Sequence, residues 1–230
     1  MTGIIVAMTI EAEKLLSVME NKETRVISGV EYTSGKIGGN DTVVAVCGIG
    51  KVFAAICAEA MIQNYPVTRI INSGVAGALT EKTNIADMVI ASSCVQHDMD
   101  TSALGDPRGL ISGINVINLP CDTDMVKSIE EYAAGEGINF VTGVIVTGDK
   151  FVHDTEEKKS LAKEFSALAC EMEGGAIAQV CYVNRIPCNL VRCISDSMTG
   201  GSMDYEKFKY IAADNCNKVI LTVLKNIDKK

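Results

Sequence analysis

The stretch ALACEMEGGAIAQVCYVNRIPCNLVRCISDS, residues 167–197, sets two short apolar runs, ALACEM and PCNLVRCIS, on either side of the helical pattern GGAIAQVCYVN. A strand that enters a helix, followed by a second unbroken apolar strand, is the pattern of a sheet covered by helices on both faces. The same stretch raises a chemical question. Glu171 and Glu173 stand where strand gives way to helix, and a carboxylate buried there needs a hydrogen-bond partner. Side chains two residues apart point the same way along a strand but apart in a helix, so if the helix begins at Glu173 only one of the two faces a pocket.

Outward from this unit the alternation continues. GIIVAM, from Gly3, reads as a strand ending at Thr9, and IEAEKLLSVME as the helix it enters. Residues 25–36 alternate loosely and meet a turn at Gly38–Asp41 before the run TVVAVCGIG, which predicts a hairpin. VFAAICAEAMIQNY reads as a helix, TRIINSGVAGAL as a strand breaking into a glycine-containing loop, and ADMVIASSCVQHD and NFVTGVIVTGD as strands around a helix near 122–134. Helical periodicity returns from Met203 almost to the end. Strands interleaved with helices, most of them Val/Ile-rich, predict a mainly parallel sheet between helical layers, with 1–230 as one domain. The one long irregular segment, 102–120, has the length of a lid, binding loop or contact surface.

Composition narrows the function. A formal net charge of -8 repels phosphate backbones and anionic lipid, which argues against nucleic-acid and membrane partners. No apolar run reaches the roughly 20 residues of a membrane span, and MTGIIVAMTIEAE meets acid too early for a secretory signal, so the cytoplasm is the expected location. The nine cysteines are odd in number, form no CxxC, and include Cys47, Cys57, Cys94, Cys170, Cys188 and Cys193 in apolar stretches. They read as reduced core residues. With only His97 and His153 for imidazole ligands, no metal site and no cofactor is expected.

Ligands of open α/β sheets lie beyond the carboxyl ends of the strands. Those ends carry Met8 and Glu11, Gly48–Lys51, Asn72–Ala78, His97 and Asp98, Asp149–Val152, Glu171–Glu173 and Arg192–Asp196. The glycines of GIGK and NSGVAGA either admit a ligand close to the backbone or simply make tight turns. Neither GxxxxGK[ST] nor an opening GxGxxG is present to mark a nucleotide phosphate site. Glu11 fits equally a solvated first-turn carboxylate, and Arg192 with Asp196 an internal ion pair. Phe151 offers an aromatic face for a flat heterocycle, or a core contact.

Taken together, GIIVAM with Glu11, GIGK, NSGVAGAL, GDKFV, CEMEGGAIA and VRCISDS resemble, in order and nearly in position, the 5′-methylthioadenosine/S-adenosylhomocysteine nucleosidases. The resemblance runs from the first strand to the last helix. It implies the three-layer α/β/α nucleoside phosphorylase-like fold with a mixed, partly closed central sheet, and cleavage of an N-glycosidic bond. Adenine leaves poorly as an anion, so an acid is needed at N7. Asp196 matches the family's acid, with a proton affinity expected to be raised by sparse solvation. Glu173, beside the backbone of Met172, matches the ribose-binding carboxylate; Glu11 matches the base that deprotonates water, which Arg192 helps to hold. Phe151 matches the residue stacked on adenine, and the backbone of Val152 the reader of its N1 and N6 edge. Met8, Ile49 and Tyr205 correspond to the wall around the 5′-alkylthio group, Tyr205 across a one-residue gap, and Val75 and Ser195 to further substrate contacts. Thr101 and Leu104 correspond to residues that reach the neighbouring subunit's site, since family members are homodimers.

Two departures stand out: Val75 replaces a serine that helps hold the water in many relatives, and Leu104 replaces a common phenylalanine. A phosphate-dependent purine nucleoside phosphorylase is the nearest alternative, but it needs cations at an anion site, and its hexameric class has an arginine where this chain has Asn72. Hydrolysis of 6-amino-6-deoxyfutalosine in menaquinone synthesis is an alternative that the sequence does not separate. A nucleoside-binding protein without turnover has no use for Glu11, Glu173, Arg192 and Asp196 together.

Overall fold

The structure, a computed structural model, describes residues 1–227. It opens with β1 (Thr2–Val6), buried along its whole length, which turns at Met8 into α1 (Thr9–Val18). Three antiparallel strands follow: β2 (Glu20–Ile27), β3 (Val30–Ile37) and β4 (Asn40–Val46). Residues 25–36 are thus not one strand. Ser28 and Gly29, both at positive φ, make a turn inside them, and the second turn falls at Gly38 and Gly39. An outer strand as exposed as β2 carries little apolar alternation, which is why its first half escaped the pattern.

The chain continues through α2 (Lys51–Asn64), β5 (Arg69–Ala78), β6 (Met88–Gln96), a 3₁₀ turn at Ser102–Leu104, β7 (Leu119–Pro120), α3 (Thr123–Gly135) and β8 (Phe140–Thr147). The loop 102–120 therefore begins in a turn and ends as a strand paired with β6. Next come α4 (Thr155–Phe165), β9 (Ala167–Glu171), α5 (Gly174–Asn184), β10 (Cys188–Asp196) and α6 (Ser202–Asn226). Helix α4 was not expected: TEEKKSLAKEF is dominated by charge, although the Asp154 side chain accepts from the Glu157 amide at 2.9 Å and caps it.

Strand order is β2-β3-β4-β1-β5-β9-β8-β6-β10, and β10 returns to pair with β5. Five strands, β5, β9, β8, β6 and β10, thereby close on themselves; β1, β4, β3 and β2 form an open wing, and the short β7 pairs with β6. The sheet is mixed rather than mainly parallel. β1 pairs in parallel with β4 and β5, β5 with β10, and β8 with β6 and β9, whereas β5–β9 and β6–β10 are antiparallel, as is the hairpin wing. Runs of buried apolar residues identify central strands but do not give their direction. Helix α6 packs on β5 and β10 and is flanked by α1 and α3, α2 packs on α5, and α4 covers β8 and β9. This is the three-layer α/β/α arrangement. All nine cysteines are buried and unbonded.

Candidate active site

Beyond the last residues of β1, β9 and β10 lies a cavity of about 420 Å³. Its walls include Met8, Glu11, Ile49, Val75, Phe151, Met172, Glu173, Ser195, Asp196 and Tyr205. Residues from all parts of the chain meet there. Another cavity, of about 340 Å³, lies near the starts of β5 and β10 beside Arg69, Asp122 and Asn189, away from the carboxylates.

Glu11 is placed by the start of α1. Its Oε2 accepts from the amides of Ala7 and Met8 at 3.0 and 2.9 Å, and its Oε1 accepts from the Val75 amide at 3.1 Å. It is 4 % exposed, so it is not a solvated first-turn charge. Burial raises its proton affinity, against the pull of those amides and of Arg192. A carboxylate so held keeps one orientation on the cavity wall.

The two glutamates of CEMEGG divide their work. Glu171, the last residue of β9, accepts through Oε2 from Arg192 Nη2 at 2.5 Å and from the amides of Glu173 and Gly174 at 3.0 and 2.7 Å; Thr147 donates to its Oε1. It anchors the N-terminus of α5, where negative charge is favoured. Glu173, one residue before α5, has Oε1 on the Gly50 amide at 2.8 Å. Gly50 has φ of 98°, a conformation open to glycine, and this turns the GIGK backbone toward the carboxylate. Burial and the Glu171 charge push Glu173 up to about 7, although the Gly50 amide and Arg192 pull the other way.

Arg192 lies beneath the cavity, not on its wall. Nη1 donates to the carbonyls of Asn72 and Val191, both at 3.1 Å, and Nη2 to the Asn72 side chain as well as to Glu171. Arg192 and Asp196, four positions apart on a single strand, are therefore not partners. Asp196 is 1 % exposed, in keeping with sparse solvation, but it is not isolated. Its Oδ1 accepts from Ser195 Oγ at 3.0 Å, and its Oδ2 from Lys158 Nζ at 2.7 Å. Sequence reading did not single out Lys158. The signal was available: Lys158, Leu161, Ala162 and Phe165 recur at helical spacing, which puts the lysine on the inward stripe of α4.

The wall opposite the carboxylates is apolar. Phe151 and Tyr205 meet edge to face with centroids 5.5 Å apart, and Tyr205 Oη lies 3.2 Å from Met8 Sδ. Val152 packs below Phe151 in a small apolar cluster with Val95, Val146 and Leu161, and borders a side recess shared with Asp196. Thr101 and Leu104 stand apart from this chain's cavity: Thr101 bonds Asp106, and Leu104 is 83 % exposed. Among the described residues no three His, Cys, Asp or Glu side chains are grouped to hold a metal ion, and no helix is long and apolar enough to cross a membrane.

Comparison with known proteins gives this geometry a family. Residues 2–225 match the family model of the phosphorylase superfamily. The chain is 35% identical over 228 residues to a 5′-methylthioadenosine/S-adenosylhomocysteine nucleosidase of Shewanella sediminis, covering 98% of this chain and 99% of the relative. It belongs to that nucleosidase family. The crystal structure of the Neisseria meningitidis nucleosidase in complex with methylthio-immucillin-A superposes with a TM-score of 0.94 at 31% identity, over 98% of each chain. A native structure of futalosine hydrolase from Helicobacter pylori does so with a TM-score of 0.92 at 31% identity, over 100% of this chain and 97% of that one. As a member of the nucleosidases, the protein is an N-glycosyl hydrolase.

Proposed function

We propose that the protein hydrolyses 5′-methylthioadenosine and S-adenosylhomocysteine to adenine and the corresponding thioribose, serving methionine salvage and the activated methyl cycle. One observation carries the choice of water over phosphate: among the described residues the cavity wall contributes four carboxylates, Glu11, Glu171, Glu173 and Asp196, and no Lys, Arg or His. Such a wall repels phosphate and stabilises the oxocarbenium character of a departing ribosyl group.

In this reading Glu173 accepts from the ribose hydroxyls and Glu11 takes a proton from the attacking water. Asp196 donates to N7 as the glycosidic bond breaks, which is worth roughly 10²–10⁴-fold in rate. Arg192 acts from below, fixing Glu171 and lending positive charge to Glu11 and Glu173. Phe151 stacks on adenine, the Val152 backbone reads its edge, and Met8, Ile49, Val75, Ser195 and Tyr205 surround the sugar and its 5′ substituent. Four carboxylates are more than the chemistry needs, and Glu171 is the one spent on architecture.

The proposal includes a homodimer in the cytoplasm. Ile49, on the cavity wall, and Val52, Phe53 and Ile56 of α2, with Tyr182 and Val183 in the last turn of α5, leave apolar side chains exposed, a face suited to a second copy that supplies Thr101 and Leu104. Nine unbonded thiols suit a reducing compartment.

A second reading, cleavage of 6-amino-6-deoxyfutalosine, draws support from the likeness to the Helicobacter pylori futalosine hydrolase. One experiment separates the cases. The purified protein is incubated with methylthioadenosine, adenosylhomocysteine, aminofutalosine or adenosine, with and without phosphate, and products are identified by chromatography. Adenine and free thioribose without phosphate are expected. Release of ribose 1-phosphate derivatives only with phosphate overturns the hydrolytic mechanism, and turnover of aminofutalosine alone transfers the protein to the second reading.

A further inference from the structure

Lys158 is a lysine with no solvent exposure whose ammonium has three N–H donors and three acceptors. Nζ donates to Asp196 Oδ2 at 2.7 Å, to the Ser197 carbonyl at 2.7 Å and to the Gly200 carbonyl at 3.2 Å. Every donor is used, so the head group has one position. Burying an ammonium costs several kcal/mol unless it is paired and hydrogen-bonded, and an apolar side chain of similar volume often serves stability as well or better. Stability alone therefore does not call for a lysine at this point of α4.

The three acceptors have different owners. Asp196 is the last residue of β10; Ser197 and Gly200 belong to the loop that delivers Ser202 and Tyr205, the first turn of α6, to the cavity wall. That loop is also tied to α6 by Ser197 Oγ, 3.2 Å from Asp204 Oδ2. With Oδ2 held by Lys158 and Oδ1 by Ser195, the plane of the Asp196 carboxyl is fixed from both sides.

We propose that Lys158 is a positioning residue for the leaving-group acid: it fixes the orientation of Asp196 and locks the acid to the loop that carries the 5′-side wall. The inference rests on the assignment of Asp196 as the acid. It adds to the site a residue from α4, a helix that contributes nothing else to the cavity wall.

The test is a mutant cycle on turnover of 5′-methylthioadenosine with the full chain. K158M and K158Q are expected to lower kcat by about 10-fold to 10²-fold, because the acid is misaimed, while KM changes by less than about threefold. K158R, which keeps the cation, should recover part of that loss. In the D196N background, K158M should cost nothing further, since the residue acts through a group already removed. The double variant also leaves no unpaired buried charge, so it reports even if K158M alone does not fold. Losses that multiply in the double variant, or folded K158M and K158Q with wild-type kcat, overturn the proposal. D196N at the wild-type rate instead overturns the assignment of the acid on which it rests.

Discussion

Gly74 lies so close beneath Glu11 that a Cβ placed on it would stand 2.7 Å from Oε1. Gly77 stands in the same relation to Asp196, at 2.8 Å from Oδ2. The glycines of the NSGVAGA stretch are thus spaces for two carboxylates, not turn makers. Neither has a positive φ, so alanine suits the backbone and only the carboxylate must yield. Gly74→Ala and Gly77→Ala should each lower kcat by about 10²-fold, as expected for an angstrom-scale misplacement, while thermal unfolding shows a folded protein. Activity near wild type in either would show that its carboxylate is not needed where it stands.

Glu11→Gln and Asp196→Asn keep the shape of the site and remove the proposed base and the proposed acid. Each should lower kcat by at least about 10²-fold with substrate still bound, read by steady-state kinetics and by titration calorimetry. Retention of the wild-type rate by either variant removes that residue from the mechanism.

Glu173 gives the site a pH dependence whose sign follows from its environment. With an ordinary value of 4.5 in the unfolded chain and about 7 when folded, it holds a proton in the native state that the unfolded chain has already lost. Stability should therefore fall as pH rises from 4.5 through 7, by up to about 3 kcal/mol, and level off above. The proposed contact of Glu173 with ribose runs the other way, because the ionised carboxylate is the better acceptor. KM for methylthioadenosine should rise as pH drops below 7, and Glu173→Gln should flatten both profiles. A Gln variant with the wild-type slope in urea unfolding would assign the dependence elsewhere.

Arg192 and Glu171 form a buried pair whose members are each 2 % exposed at the side chain. Arg192→Met strands Glu171 at the start of α5 and should cost about 3–5 kcal/mol, measured by denaturant unfolding. Glu171→Gln in the same chain removes the stranded charge and should restore part of the loss. No recovery in the double variant would mean that the bonds to Asn72, not the ion pair, carry the effect.

The exposed apolar face beside the cavity predicts association. Phe53→Glu should shift sedimentation toward the monomer and weaken activity at low protein concentration, because Thr101 and Leu104 of a second copy would no longer reach the site. A monomeric wild type with full activity would show that one chain is a complete enzyme.

Local patterning in the chain dictated the alternation of strands and helices, and with it the end of the sheet where polar residues had to gather. Apolar runs, helical periodicity and glycine-rich strand ends are local properties, which is why Met8, Glu11, Glu173 and Asp196 could be picked out before their neighbours were known. It did not determine strand direction: β10 is parallel to β5 and antiparallel to β6, and that is settled by closure of five strands on one another. Nor did the residue pattern alone, without the family resemblance, tell the carboxylates apart. Glu171 and Glu173 differ by two positions, yet one meets Arg192 across 21 residues and the other meets Gly50 across 123. Asp196 met an ammonium from a helix hidden in a charged run. Whether a buried charge is structural or chemical depends on which distant donors reach it, and only tertiary packing brings those donors into place.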